Sequence, residues 1–441
     1  MAEVYDRWHL SRPRKGAEPC TDHSSKTRTL VPSKEHGKGK RWQVRWRDAN
    51  GEQKKENFEK RPKADARAAA VQADLDRGLY IDPSAGKESF RAVGERWRGS
   101  AVHRPSTATR VERALRLHVY PTFGDRAIAG IRPSEVDAWV KDRAQVLAPN
   151  TLKSTYSYLV TVLRTAVHDG IIRANPCAGV KLPKVRRPEV VPLHEDAVRA
   201  LIDAAPARYR ALVLLAAASG LRQGEMFGLE VGHINFLRRE VTIAQQLVGP
   251  DDGEPFLGEP KTHESYRTVP LAKSAVDALA AHLAAYKPKG VTLDDRTNPR
   301  KPKRRKAQLV FVNERAQAIR RSAWVRAWGR MEERANVALQ AAYESAHADW
   351  VRRGRPDGQE PELVQVPDGA SMHDLRHFYA SLLIRNREDV KTVQMRLGHS
   401  KPSITLDIYT HLWPSKEDTT RAAVEAVLGD VPALCPAAQA Q

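Results

Sequence analysis

SMHDLRHFYASLL, residues 371–383, has the pattern of one helix with two unlike faces. Ser371 stands where a helix N-cap would. His373, Arg376 and His377 fall at i, i+3 and i+4, so they share a face. Leu375, Phe378, Tyr379 and Leu382 lie on the other, giving an apolar back and a cationic front. The spacing of the two histidines can hold a metal ion. Arg376 sits between them, however, and a guanidinium there opposes a divalent cation. A plainer role for His373 is to cap its own helix.

Working outward, VQMRLGHSKPSITLDIYTHL (393–412) places His399 after a helix-ending Gly398, with Tyr409 ten residues on. SGLRQGEMFGLE (219–230) sets Arg222 behind a glycine break at the mouth of a helix, where free N–H groups favour phosphate. EPKTHESYRTVPL (259–271) sets Lys261 at an expected hairpin between alternating segments. Each residue alone has a bland reading. Arg222 is a surface charge or ion pair, Tyr409 a packed aromatic with its hydroxyl bonded, and Lys261 a solvated cation. The set as a whole lacks a carboxylate pair, metal ligands and an activated Ser or Cys. It supplies cations, hydrogen-bond donors and one phenol, the inventory for attacking a phosphodiester. Arginines neutralise transition-state charge, a deprotonated tyrosine oxygen attacks, and a lysine protonates the departing 5′-oxygen.

Composition agrees. Lys and Arg number 73 against 53 Asp and Glu, a net charge of +20, and so cationic a chain points to nucleic acid. An apolar content of 41% excludes global disorder. The three cysteines, Cys20, Cys177 and Cys435, are odd in number and far apart, which excludes a disulfide framework and a CxxC metal pair. The longest apolar run, Ala211–Ala218, is far short of the ~20 residues that cross a bilayer. The N-terminus lacks the apolar core of a secretory signal. A soluble, reduced, intracellular chain with no membrane partner is expected.

At 441 residues the chain has room for about three domains. Residues 1–35 are polar and read as a flexible arm. In KGKRWQVRWRDANGEQKKENF (38–58), Trp42, Val44 and Trp46 alternate with Gln43 and Arg45, and Asn50-Gly51 marks a hairpin turn. With a helix over 64–79 this makes a ββα-type module over 36–80. Residues 86–180 read as wholly helical, the last helix capped by Asn150, and Pro-rich KLPKVRRPEVVP (181–192) reads as a linker. Residues 190–430 mix classes, with strand-like segments at 240–248, 256–270 and 308–313 around helix 272–286. Helices are expected at 208–219, 322–345, 371–386, 389–397 and 416–428, the last with an apolar strip of Ala423, Val424, Val427 and Leu428. Two stretches, 287–306 and 341–367, look inserted at the surface, and 431–441 is a tail. The fold class is multidomain, mainly α with small β-sheets.

The order Arg222, Lys261, His373-x-x-Arg376, His399, Tyr409 resembles the catalytic domain of the tyrosine recombinases, or phage-type integrases, through GLRxGE, HDLRHxxAS, LGHS and the IYTH ending. The likeness covers roughly 190–430 as an α+β catalytic domain; 86–180 is similar to the family's core-binding domain and 36–80 to its arm-binding module. It implies that those six residues are catalytic, with Tyr409 the nucleophile and Glu225 supporting the arginines from behind. It further implies site-specific recombination of double-stranded DNA by a homotetramer, through a 3′-phosphotyrosine and a free 5′-hydroxyl, with no metal and no other cofactor. A phage or other mobile element in the cytoplasm of a bacterial host, at the nucleoid, and accessory bending or directionality proteins go with that reading. A type IB topoisomerase-like enzyme and a non-catalytic DNA-binding regulator are the alternatives.

Overall fold

Alternation along 42–47 sets Val44 and Trp46 against the helix behind them while Arg45 faces solvent, as a half-buried strand requires. The computed structural model describes all residues except 26, 28, 49–50, 83, 185–188, 250–252, 356, 359, 414–423 and 428–441. It divides into two units, 1–186 and 187–441.

In the first unit, Glu3–Asp6 (β1), Trp42–Arg47 (β2) and Gln53–Phe58 (β3) form an antiparallel sheet in the order β1-β2-β3. Helix α1 (Arg61–Asp76) lays Ala64, Ala68 and Val71 on Val44 and Trp46. The expectation of an irregular arm over 1–35 is therefore corrected, and the ββα module gains a third strand. Four residues, EVYD, are too few and too polar to show a period, and their partner lies some forty residues on, with Asp6 opposite Trp42. The segment after β1 closes at the sheet ends where Arg7 N–H donates to Arg41 O at 2.9 Å, and is tied to itself by Cys20 N–H to Leu30 O at 2.7 Å and Ser33 N–H to Trp8 O at 2.8 Å. No CxxC pair is present, yet this closure brings Cys20 beside His9, His23 and His36.

The rest of the unit is helical: α2 (Phe90–Ser100), α3 (Pro105–Ala114), a π-helical turn over Leu115–Val119, α4 (Tyr120–Phe123), α5 (Pro133–Val146) and α6 (Pro149–His168). Phe90, Val93, Leu115, Phe123, Trp139 and Leu159 meet in one core. Asn150 does not cap α6; Pro149 takes the first helical position, where its missing N–H costs nothing, and Ala148 precedes it.

The second unit begins with α7 (Glu195–Ala204), α8 (Ala207–Ser219) and α9 (Gln223–Phe227). Strands follow at Ile234–Asn235 (β4), Glu240–Ile243 (β5), Gln246–Val248 (β6), Phe256–Gly258 (β7) and Arg267–Pro270 (β8). After α10 (Lys273–Ala285) come β9 (Val291–Arg296) and β10 (Lys303–Ala307). The sheets run β4-β5-β8 and β10-β9-β7-β6. Basic 287–306 is thus no loose excursion: β9 joins β7 in parallel, and Arg305 bridges Glu230 and Asp295, each at 2.6 Å. Residues 308–313 do not form a strand, although Leu309–Val312 are buried. Helix α11 (Arg321–Arg352) absorbs the start of the expected 341–367 insertion, and the chain returns to it where Val366 N–H donates to Asn336 Oδ1 at 2.7 Å. Helices α12 (Met372–Arg385), α13 (Val390–Leu397) and α14 (Pro402–Tyr409) complete the unit, α12 packing on buried α8. Of the helix expected at 416–428 only 424–427 is described, helical with Val424 and Val427 exposed; the remainder and the 431–441 tail lie outside the described residues. Among the described residues no helix is long and apolar enough to cross a membrane.

Candidate active site

Ser371 begins α12 with a capping box: its Oγ accepts from His373 N–H at 3.2 Å, and Asp374 accepts from Ser371 N–H at 2.8 Å. The cap is Ser371, so the His373 ring is free of that duty. Three residues on, Arg376 is 2% exposed and points into the unit. Its guanidinium donates to Gly220 O at 2.5 Å and Leu397 O at 2.7 Å.

Those carbonyls close α8 and α13, and both helices end on a left-handed glycine, Gly220 at φ 61° and Gly398 at φ 64°. Carbonyls at a helix C-terminus have no partner inside the helix and carry partial negative charge, so they receive a buried cation without a carboxylate. Glycine is needed at 220 for a second reason: an added Cβ would lie 2.5 Å from Tyr379 Cδ1. Arg222 is anchored likewise, donating to Gly398 O at 2.9 Å and to Ser265 Oγ at 3.0 Å.

Behind Arg222 lies Glu225, 3% exposed, which accepts from Arg222 NH1 at 2.8 Å, from Arg222 N–H at 2.9 Å and from Arg267 NH2 at 2.8 Å. Burial alone would raise this carboxyl; Arg267 and Arg222 outweigh it and hold the group below the ordinary range. Three guanidiniums, Arg222, Arg267 and Arg376, thus face one carboxylate, and the excess charge suits an anion. Burial and Arg222 push Arg376 down, to about 9, which still leaves it charged at neutral pH.

Tyr409 ends α14, is 1% exposed, and its hydroxyl lies 2.7 Å from His377 Nδ1. Burial pushes its pKa up to about 12 against the pull of Arg376. His399 follows Gly398, with Nδ1 2.9 Å from Thr405 Oγ1. Burial and then Arg376 and Arg222 drive His399 down to about 3. Crowding by the surrounding protein, then His377 and Arg376, takes His373 to about 4, although the residue keeps surface open to solvent. Both rings are therefore neutral near pH 7. His373 and His377 stack edge-on at 4.7 Å, and His377 Nδ1 is engaged with Tyr409.

Lys261 is exposed on the connection from β7 to β8. The hairpin expected there does not form, because β7 pairs with β6 and β9 while β8 pairs with β5. No hydrogen bond joins Lys261 to the other five residues. Two residues carry more of the site than the sequence reading assigned them. His377 was visible by its spacing but was given no role beside Tyr409. Arg267 stood unremarked in YRTVPL, since its partner Glu225 is 42 positions away. A buried acid flanked by arginines is the only signal that could have found it.

Comparison with known proteins bears on the family and the fold. Residues 192–416 match the Phage integrase family and residues 90–182 the phage integrase central domain. A XerC-like tyrosine recombinase of Caldanaerobacter subterraneus is 28% identical over 60% of this chain and 63% of its own length. The prophage phiRv2 integrase of Mycobacterium tuberculosis is 24% identical over 83% of this chain and 88% of its own. The chain therefore spans less than two thirds of the first of these relatives. In fold, the Tn1549 transposon integrase solved with transposon right end DNA superposes at a TM-score of 0.59, with 18% identity, over 77% of this chain and 99% of that one. Lambda integrase, solved as a dimer on a core site, superposes at 0.51 with 15% identity, over 85% and 95%. With more than half of its length matched by the family and the sequence motifs gathered around Arg376 and Tyr409, this chain belongs to the phage integrase family of tyrosine recombinases.

Proposed function

We propose that the chain cuts and rejoins double-stranded DNA at attachment sites of a phage or other mobile element, with Tyr409 as nucleophile. The observation that carries this is one buried phenol set among guanidiniums that are held by helix-end carbonyls. Because those carbonyls leave the net positive charge largely intact, a phosphodiester drawn against Arg222 and Arg376 would meet donors already in place, the arrangement that stabilises a pentavalent phosphorane. Tyr409 Oη loses its proton to solvent and attacks phosphorus, the bond from phosphorus to the 5′-oxygen breaks, and the 3′-phosphotyrosine keeps the bond energy for rejoining. His373 and His399, neutral in this site, supply hydrogen bonds to the phosphate oxygens. Lys261, on its exposed connection, protonates the leaving 5′-oxygen once DNA brings it in. Glu225 fixes Arg222.

In the protein without DNA the phenol is quiescent. Its proton sits on a group raised to about 12, and the His377 ring beside it is a base weakened by burial. Cleavage therefore waits for a phosphate whose approach frees Tyr409 from His377. Assembly follows the family: four copies on two duplexes, the units around 86–180 and 190–430 gripping core DNA mostly through phosphates, the N-terminal module reading accessory sites. Accessory bending or directionality proteins and a place at the nucleoid of a bacterial cell belong to the same reading.

The test is covalent trapping on nicked duplexes carrying the junctions of the element. Wild type forms a protein–DNA adduct, and Tyr409→Phe binds but forms none. An adduct with the Phe variant moves the nucleophile elsewhere. Binding without any wild-type adduct makes the chain a regulator. Adduct formation with relaxation of supercoils but no exchange between paired sites makes it a topoisomerase.

A further inference from the structure

The first unit holds a cluster of side chains that strand cleavage does not use. His9, Cys20, His23 and His36 each aim one ligand atom at a common point, and these four atoms all lie within 4.8 Å of one another. Cys20 Sγ is 3.2 Å from His36 Nε2 and 3.5 Å from His23 Nδ1, and those two nitrogens are 3.3 Å apart. Tetrahedral zinc bonds of about 2.0–2.1 Å to nitrogen and 2.3 Å to sulfur require N···N edges of about 3.3 Å and S···N edges of about 3.5 Å. The three separations, 3.2, 3.3 and 3.5 Å, lie close to three edges of that tetrahedron, and His9 brings the fourth atom within 4.8 Å of them. The three imidazoles also stand edge to face, with centroids 5.2–5.3 Å apart and planes crossing at 73–77°, as rings do when they converge on one atom from different directions.

His9 supplies the second, independent observation. The ring is 3% exposed, its Nδ1 lies 2.9 Å from Asp6 Oδ2, and its Nε2 is buried with no hydrogen-bond partner. A carboxylate on one nitrogen fixes the proton there and leaves the lone pair of the other free, which is how ligating histidines are held. Asp6 is in turn held by Arg41 at 2.8 Å. An orphaned buried nitrogen is costly; a metal ion removes the cost.

The third observation is the poverty of the surrounding core. Between residues 7 and 41 the buried apolar side chains among those described are Leu30 and Val31. So little apolar burial cannot hold a segment of that length in one conformation, and small modules in this position are stapled by a disulfide or a metal.

We propose that His9, Cys20, His23 and His36 form a structural Zn²⁺ site that fastens residues 7–41 to the N-terminal sheet. Three imidazoles and a thiolate suit zinc among the common divalent ions. Four protein ligands leave no position for water, so the ion is structural rather than catalytic. Binding displaces the Cys20 thiol proton, and the neutral imidazoles bring lone pairs, so no electron transfer is involved.

The full-length chain, purified with reduced thiols and no chelator, should carry one zinc per molecule. Replacement by Co²⁺ should give the visible bands of a tetrahedral site together with a sulfur-to-cobalt charge-transfer band. Cys20→Ser should abolish that charge-transfer band and His9→Ala should lower zinc content, whereas Cys177→Ala should leave both intact. Chelation should open the 7–41 segment to protease while residues of the second unit stay resistant, and added Zn²⁺ should restore protection. Full-length protein whose 7–41 segment resists protease without bound metal, or zinc retained undiminished by Cys20→Ser and His9→Ala, would overturn the proposal.

Discussion

Glu225→Gln is the most searching single change, because it alters charge without altering shape at the carboxylate behind Arg222. Glu225 accepts four N–H donors, at 2.9 and 2.8 Å from Arg222 and at 3.2 and 2.8 Å from Arg267. An amide keeps one oxygen and turns the other into a donor, so two of those contacts become donor against donor. At about 1.5–3 kcal/mol for each hydrogen bond to a charged group, and about 3–5 kcal/mol for breaking a buried ion pair, the second unit should lose about 4 kcal/mol. The assay is urea denaturation followed by tryptophan fluorescence, since Trp324 and Trp328 sit in that unit's core. Cleavage should fall as well, because Arg222 loses the partner that fixes its fork. The sign with pH is set by the lowered carboxyl. Its contribution is present above the unfolded value near 4.5 and is lost as pH falls through the lower folded value. If the variant unfolds within about 1 kcal/mol of wild type, well below the ion-pair range, then Glu225 is not the anchor described here.

Arg376→Lys should bind DNA and fold while cleavage falls by orders of magnitude, since one ammonium cannot reach both Gly220 O and Leu397 O and still face a phosphate; near-normal single-turnover cleavage would refute this. Gly220→Ala should cost about 1–2 kcal/mol for the left-handed backbone alone, with more from the overlap on Tyr379, measured by the same denaturation. A loss under half that figure would mean the α8 end relaxes freely. The histidines set an acid limit: His399 and His373, held down to about 3 and about 4, add nothing above pH 6.5, but below it the unfolded chain takes up protons first. His399 alone should then remove about 2 kcal/mol at pH 5. Equal stability at pH 5 and pH 7 would show that its ring is not held neutral.

How much of this was legible in the chain depends on the reach of each interaction. Capping, helix period and strand alternation act over a few residues, so the Ser371 N-cap of α12, the two faces of its helix, the strand at 42–47 and the glycine ends at 220 and 398 could be read from sequence. Motif order proposes the set Arg222, Glu225, His373, Arg376, His399 and Tyr409, and states who is present but not who touches whom. Only the folded chain decided the contacts. Arg376 meets Gly220 O across 156 positions, Arg222 meets Gly398 O across 176, and the carbonyls involved have no side-chain identity for a sequence to display. The hairpin around Lys261 failed because its strands found other partners at long range, a choice made by packing and not by local alternation. The same holds at the N-terminus. Cysteine spacing alone showed no ligand set, because His9 and His36 stand eleven positions before and sixteen after Cys20, and only the return of residues 7–41 to the sheet brings all four groups to one point. Sequence determined the elements with a strong local period and the chemistry on hand; tertiary structure decided the remaining strands, which groups are buried, which are paired, and therefore which are charged.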